Sequence, residues 1–176
     1  RASRDRFEFL YNQAPVMMHS INPQGELLAV NQLWLDTLGY SRDEVIGKKA
    51  TEFLTEKSKE YAINVALPKF FAEGKITDVE YQWRSKDGAI LDIILSADVI
   101  YDQDGNPENS LAYLVDVTNK KRETKLLREF VEGTASKTGD ELFRAVALTI
   151  GSALNASKVL VAEILPSSQN SCLLYT

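Results

Sequence analysis

The chain has 176 residues, 44% hydrophobic and 26% charged, the balance of a soluble globular protein long enough for one domain and part of another. Its 20 basic and 25 acidic side chains give a formal charge of −5, which repels a phosphate backbone and sets nucleic acid aside as a partner. Cys172 is the sole cysteine, so no disulfide can close within the chain, and this usage fits a reducing, cytoplasmic setting.

Phe7, Leu10, Tyr11 and Ala14 fall on one apolar face of a short helix that Pro15 ends. Val16–Ile21 and Leu27–Val30 flank Asn22-Pro23-Gln24-Gly25, which is turn chemistry and predicts a β-hairpin. Asn31 then caps a helix with Leu33, Trp34 and Leu38 on its buried face, and Gly39 stops it. Ser41 and Glu44 form a capping box that opens a further turn, closed by Gly47. A third helical stretch runs from Glu56 to Ala72, and Pro68 should kink or restart it.

From Ile76 the period changes to two. Val79, Tyr81 and Trp83 alternate with Glu80, Gln82 and Arg84, the mark of a half-buried strand. Lys86-Asp87-Gly88 turns the chain into a second strand, Ala89–Tyr101, and Asp102–Pro107 turns it into a third, Asn109–Val117. Five strands with helices grouped on one side make an α+β layout. Beyond Thr118 the character changes to a charged helix. Its basic run, Lys120-Lys121-Arg122 with Lys125 and Arg128, reads as a solvated face. Asp140–Leu154 is an amphipathic helix, Val159–Leu165 a strand, Pro166–Ser171 a loop, and Cys172–Tyr175 the start of another strand. The longest uncharged apolar-rich stretch, Ala145–Ser157, is short of the roughly 20 residues a membrane span needs, so no membrane contact is expected of these residues. No signal sequence opens the chain, and the lack of an initiating methionine suggests a piece of a longer protein.

Asn31-Gln32-Leu33-Trp34 and Leu38–Gly47, read in order with Asp87-Gly88, Asp104-Gly105-Asn106 and Asp116-Val117-Thr118 before Lys120-Lys121-Arg122, resemble the PAS signature and its C-terminal motif. The match runs from Phe7 to Arg122. A fainter resemblance, through Val131–Ala135, Gly139–Phe143 and Leu154–Ala156, is to the opening of a GAF domain. The resemblance implies a PAS fold: a five-stranded antiparallel sheet of order 2-1-5-4-3 with helices on one face. It divides the chain into a PAS sensor domain over 1–118, a linker or signalling helix over 119–138 and a truncated GAF segment over 139–176. It also implies a homodimer and an output domain further along the same chain, as in bacterial sensor histidine kinases or, alternatively, diguanylate cyclases and phosphodiesterases. A ligand-independent protein-interaction domain is the reading from another class.

No nucleophile–base pair, phosphate-binding loop or metal motif is present, so no catalytic residue is assigned and no enzymatic activity is expected of this segment. The family's flavin–cysteinyl chemistry needs a cysteine in the stretch that here reads Gly47–Leu54, and haem ligation needs a histidine in Glu56–Ala72; neither is there. Non-covalent flavin stays open, and the cofactor is unknown. Pocket candidates for a small-molecule ligand are His19, Asn31, Trp34, Tyr81 and Trp83. For His19 the alternative is a structural histidine, for Trp34 core packing, for Asn31 a helix cap. Tyr81 and Trp83 share a strand face that either a pocket or a dimer interface could use. Asp116 and Thr118 carry N-cap chemistry at the start of the charged helix, where the resemblance places signal transmission; a plain cap is the alternative. Leu126, Leu127, Phe130 and Val131 leave that helix an apolar face suited to a partner helix.

Overall fold

The computed structural model describes residues 2–135, 138–153, 159, 161–164 and 172–175. The chain divides into two units, Arg1–Thr118 and Asn119–Thr176.

The first unit opens with helix α1 (Ala2–Gln13), which starts before Phe7 and stops short of Pro15. Strands β1 (Met17–Ile21) and β2 (Leu27–Val30) form the expected hairpin. Asn22 holds its turn, accepting at Oδ1 from the N–H groups of Gln24 (3.0 Å) and Glu26 (2.9 Å), the local bonding that suits asparagine to turns. Helix α2 (Gln32–Leu38) is capped by Asn31 and closed by Gly39, which takes the left-handed φ of 75° that a β-carbon would disfavour. The single turn α3 (Arg42–Val45) carries the Ser41–Glu44 capping box, and a 3-10 turn follows over Ala50–Phe53.

The stretch read as one helix is three pieces: α4 (Glu56–Tyr61), a π turn (Ala62–Ala66) and α5 (Leu67–Glu73). Pro68 sits in the first turn of α5, where its missing N–H matters least, and the backbone widens just before it.

Strands β3 (Lys75–Arg84), β4 (Ile90–Tyr101) and β5 (Pro107–Asp116) complete an antiparallel sheet of order β2-β1-β5-β4-β3. β5 begins two residues before the expected Asn109, because proline is tolerated as a strand's first residue. β3 contains a bulge that the sequence pattern did not disclose. Ile76 pairs with Ala97 and Val79 with Leu95, so β3 carries one residue more than β4 between those rungs. Asp78 absorbs it at φ 52°, a region that aspartate visits more readily than bulkier residues, and its N–H donates to Ser96 Oγ at 2.9 Å.

One sheet face and the helical segments between Gln32 and Glu73 bury the core. Trp34, Leu38 and Val45 pack there against Leu27, Val30, Ile93 and Leu114. The other sheet face leaves Leu28, Ile100, Tyr113 and Val115 exposed. Residues 48–58 cross from one edge of the sheet to the other: at β2, Leu27 N–H donates to Lys48 O (2.8 Å), and at β3, Thr55 N–H donates to Gln82 O (2.9 Å).

In the second unit, α6 (Thr118–Thr134), whose first residue closes the first unit, carries exposed ion pairs Lys125–Glu129 and Arg128–Glu132. Helix α7 (Asp140–Ala153) packs on an antiparallel pair, β6 (Val161–Ile164) and β7 (Cys172–Tyr175). The expected loop over 166–171 and the Leu154–Ala156 motif lie outside the described residues.

Candidate functional site: an interior cavity and a strand–helix junction

Alternation along β1 turns Met17, His19 and Ile21 inward, and alternation along β3 does the same for Tyr81 and Trp83. His19, Tyr81 and Trp83 meet at a cavity of about 60 Å³ between the sheet and the helical layer. Ile21, Leu54, Ala62, Ala66, Phe70, Leu95 and Ala112 form much of its wall, with Thr51 and Ser110 as further polar residues. His19 is 4% exposed, and its Nδ1 has no hydrogen-bond partner. Burial lowers its pKa to about 4, so the ring is neutral near pH 7. The Trp83 indole Nε1 is also buried without a partner, and its ring lies 5.7 Å from that of His19, centroid to centroid. Ser110 is engaged: its Oγ accepts from Ile21 N–H at 3.2 Å. Burial also raises the Tyr81 pKa, keeping the phenol protonated.

Asn31 and Trp34 do not line this cavity. Asn31 is wholly buried and its amide is spent on the backbone: Oδ1 accepts from Met18 N–H (2.9 Å) and Trp34 N–H (3.1 Å), and Nδ2 donates to Val16 O (2.9 Å) and Tyr11 O (3.2 Å). It ties the end of α1, β1 and α2 together. Trp34 is wholly buried with Phe53 and Trp83 edge-on at 5.8 Å each, which is aromatic core packing.

The second place is the exit from β5. Asp116 Oδ1 accepts from the N–H (2.8 Å) and the hydroxyl (2.5 Å) of Thr118, the first residue of α6. The Thr118 hydroxyl in turn accepts from Asp92 N–H on β4 at 2.9 Å, and Val117 N–H donates to Asp92 O at 2.9 Å. Asp116 therefore bonds the first N–H of the helix. Thr118 differs from a simple cap, since its hydroxyl points back to the sheet. Sequence reasoning missed Asp92, whose two bonds to Val117 and Thr118 are main-chain bonds and so leave no trace in residue type. It missed Ser110 and the cavity alanines for a similar reason, since small residues announce a hollow only once the walls are placed.

On α6, Leu126, Leu127 and Val131 are exposed and Phe130 is half-buried. Among the described residues no cluster of three or more His, Cys, Asp or Glu side chains could hold a metal, and no helix is long and apolar enough to cross a membrane. An engineered cavity of roughly 150 Å³ is what admits one benzene ring. The space around His19 and Trp83 is smaller than that.

A family model described as PAS domain matches residues 14–119. Among solved structures, the PAS domain of an HTR-like protein from Haloarcula marismortui is similar at 23% identity and TM-score 0.57, covering 65% of this chain and 92% of that one. A PAS domain from Colwellia psychrerythraea gives 20% identity and TM-score 0.61, covering 68% and 99%. A PAS domain from a two-component sensor histidine kinase gives 16% identity and TM-score 0.56, covering 65% and 96%. No curated protein matches the sequence.

Proposed function

The chain belongs to the PAS domain family, and on that footing we propose that it is a sensory and dimerisation module that passes its state to an output domain through α6. The observation that carries this reading is the junction at Thr118. One hydroxyl holds the backbone of β4 while the Asp116 carboxylate holds both that hydroxyl and the first N–H of the helix. A change in the register or packing of β4 and β5 must then pull on the helix start, which is how a local change biases a two-state element. A histidine kinase is the favoured output, in keeping with the sensor kinase among the similar structures; a diguanylate cyclase or phosphodiesterase is the alternative. The apolar positions Leu126, Leu127, Phe130 and Val131 are read as a helix-pairing seam between two copies, and residues 139–176 as the opening of a GAF domain. The module itself is read as non-catalytic and cytoplasmic.

The experiment is Asp116→Ala and Thr118→Ala in the full-length protein. Each should cost on the order of 1 kcal/mol in stability, Asp116→Ala through the lost bond to the helix start and Thr118→Ala through the lost bond to β4, and uncouple output from stimulus while leaving basal output in place. Regulation that persists in both variants would overturn the relay. The small size of the cavity favours a second reading, a domain that signals by protein contact alone with its pocket largely filled by its own side chains.

A further inference from the structure

Folded interiors are packed about as densely as organic crystals and hold few voids larger than a water molecule. The cavity between the sheet and the helical layer departs from that, and small residues are the cause. Ala50, Ala62, Ala66, Ala97 and Ala112 line it, with Gly25, in a core otherwise rich in Trp, Phe, Leu, Ile and Val. The buried nitrogens beside it do not face it. Nδ1 of His19 and Nε1 of Trp83 are closed off by surrounding atoms. The rings of Trp34 and Trp83 meet edge-on at 5.8 Å, a contact that can take up an indole N–H. Ser110 Oγ is engaged by Ile21 N–H. No Lys, Arg, Asp or Glu lines the space, so it offers an ion no counter-charge. What the wall presents inward is almost all carbon.

We infer that this cavity binds a neutral molecule that makes no hydrogen bonds, of up to about three non-hydrogen atoms, the class to which propane and dissolved dioxygen belong. A buried water needs roughly two to four polar partners, and apolar hollows stay dry and take apolar guests. At about 60 Å³ the space is well under half that of the cavity that takes benzene, which sets the size of the guest. Such a guest makes the dispersion contacts that a void leaves unmade. One wall is also irregular: Ala62 and Ala66 are the first and last residues of the π turn, a form that recurs at functional sites. Access is short. Ala66 and Ile76 line both the cavity and an outer groove bounded by Tyr61, Lys69 and Asp78, so one layer of side chains separates them.

This ligand class deepens the sensory reading and rests on it for what binding would achieve, but occupancy can be read without any output domain. The test is titration of the protein with propane dissolved under pressure, and separately with ethanol, which is as large and carries a hydroxyl where propane has a methyl. The methyl signals of Leu95 and Ala112 report the cavity, and that of exposed Thr124 reports the surface. Propane is expected to shift the first two saturably in about the millimolar range, the range that so few atoms allow, and to leave Thr124 in place. Ethanol should bind about tenfold more weakly or worse, because its hydroxyl would be buried without a partner. Ala112→Val, which fills part of the hollow, should weaken propane by about tenfold or more. Dioxygen, being paramagnetic, should speed relaxation of the Leu95 and Ala112 methyls beyond that of Thr124; propane binding without this effect would support the inference and narrow the class to hydrocarbons. Ethanol binding as tightly as propane would overturn the inference, showing a polar partner in the wall. Entry by neither would overturn it too, pointing to resident water or a closed core. Should the variant fail to fold, the two titrations of the unaltered protein still decide. A negative result here leaves the Asp116–Thr118 relay standing, and loss of that relay leaves the propane result untouched.

Discussion

Asn31 and His19 stand beside the same β-hairpin, both almost fully withdrawn from water, and they meet opposite fates. Every hydrogen-bonding group of the Asn31 amide is occupied, and what it binds is backbone from three separate elements. His19 has an Nδ1 that nothing satisfies, next to a hollow. Burial alone therefore does not say whether a polar residue is structural. The partners do: a satisfied group builds the fold, and an unsatisfied one is carried by it at a cost.

The largest effect that would break this contrast is at Asn31. Asn31→Ala strands two backbone N–H groups and two carbonyls and removes a helix cap, for an expected loss of about 3 kcal/mol. His19→Leu at neutral pH should change stability by less than about 1 kcal/mol, since it deletes an unpaired group rather than a bonded one. Urea midpoints for the two variants check both; similar losses would collapse the distinction.

A second experiment sharpens it through pH. The ordinary imidazole value is 6.5 and burial holds folded His19 near 4. Between those values the unfolded chain takes up a proton that the folded protein does not, so acid favours unfolding. Stability contributed by neutral His19 is complete above about pH 6.5 and falls towards pH 4 by at most about 1.4 kcal/mol per pH unit. His19→Leu should remove that component of the slope, and an unchanged difference curve would mean that His19 titrates normally in the fold.

The smallest effect tests the hollow itself. Ala112→Val adds two methyl groups at a cavity-lining strand position that suits a β-branched residue, and should leave stability within about 1 kcal/mol or raise it. A loss of about 2 kcal/mol or more, read from the urea midpoint, would mean that the site is already full.

Much of this was legible beforehand, and the reasons are specific. Asn31, Gly39, Ser41 and Glu44 announce themselves because caps and left-handed turns demand particular residue types. Strands β3 and β4 follow from alternation and from the turns that bound them. The sheet order came from the resemblance, since periodicity places strands without ordering them. The candidate site was harder. Tyr81, Trp83 and His19 could be put on faces but not on the inward face, and Asn31 and Trp34 stand as pocket candidates beside a cap and core packing until their partners are known. Asp92 meets Val117 and Thr118 through main-chain atoms, and bonds of that kind are invisible to a reading of side-chain types.

The extra residue at Asp78 has a consequence for how this domain tolerates insertion and loss. It works as a phase shift, putting even-numbered Ile76 and odd-numbered Val79, Tyr81 and Trp83 on one side of the same strand. Removing one residue there would be a local lesion: Ile76 and Val79 would stand two positions apart, as Ala97 and Leu95 do, and both would keep their side of the strand. Removing one from the regular rungs between Val79 and Arg84 would instead turn over every side chain on one side of the gap. The bulge is thus a point in β3 where length can fall by one while the faces are kept.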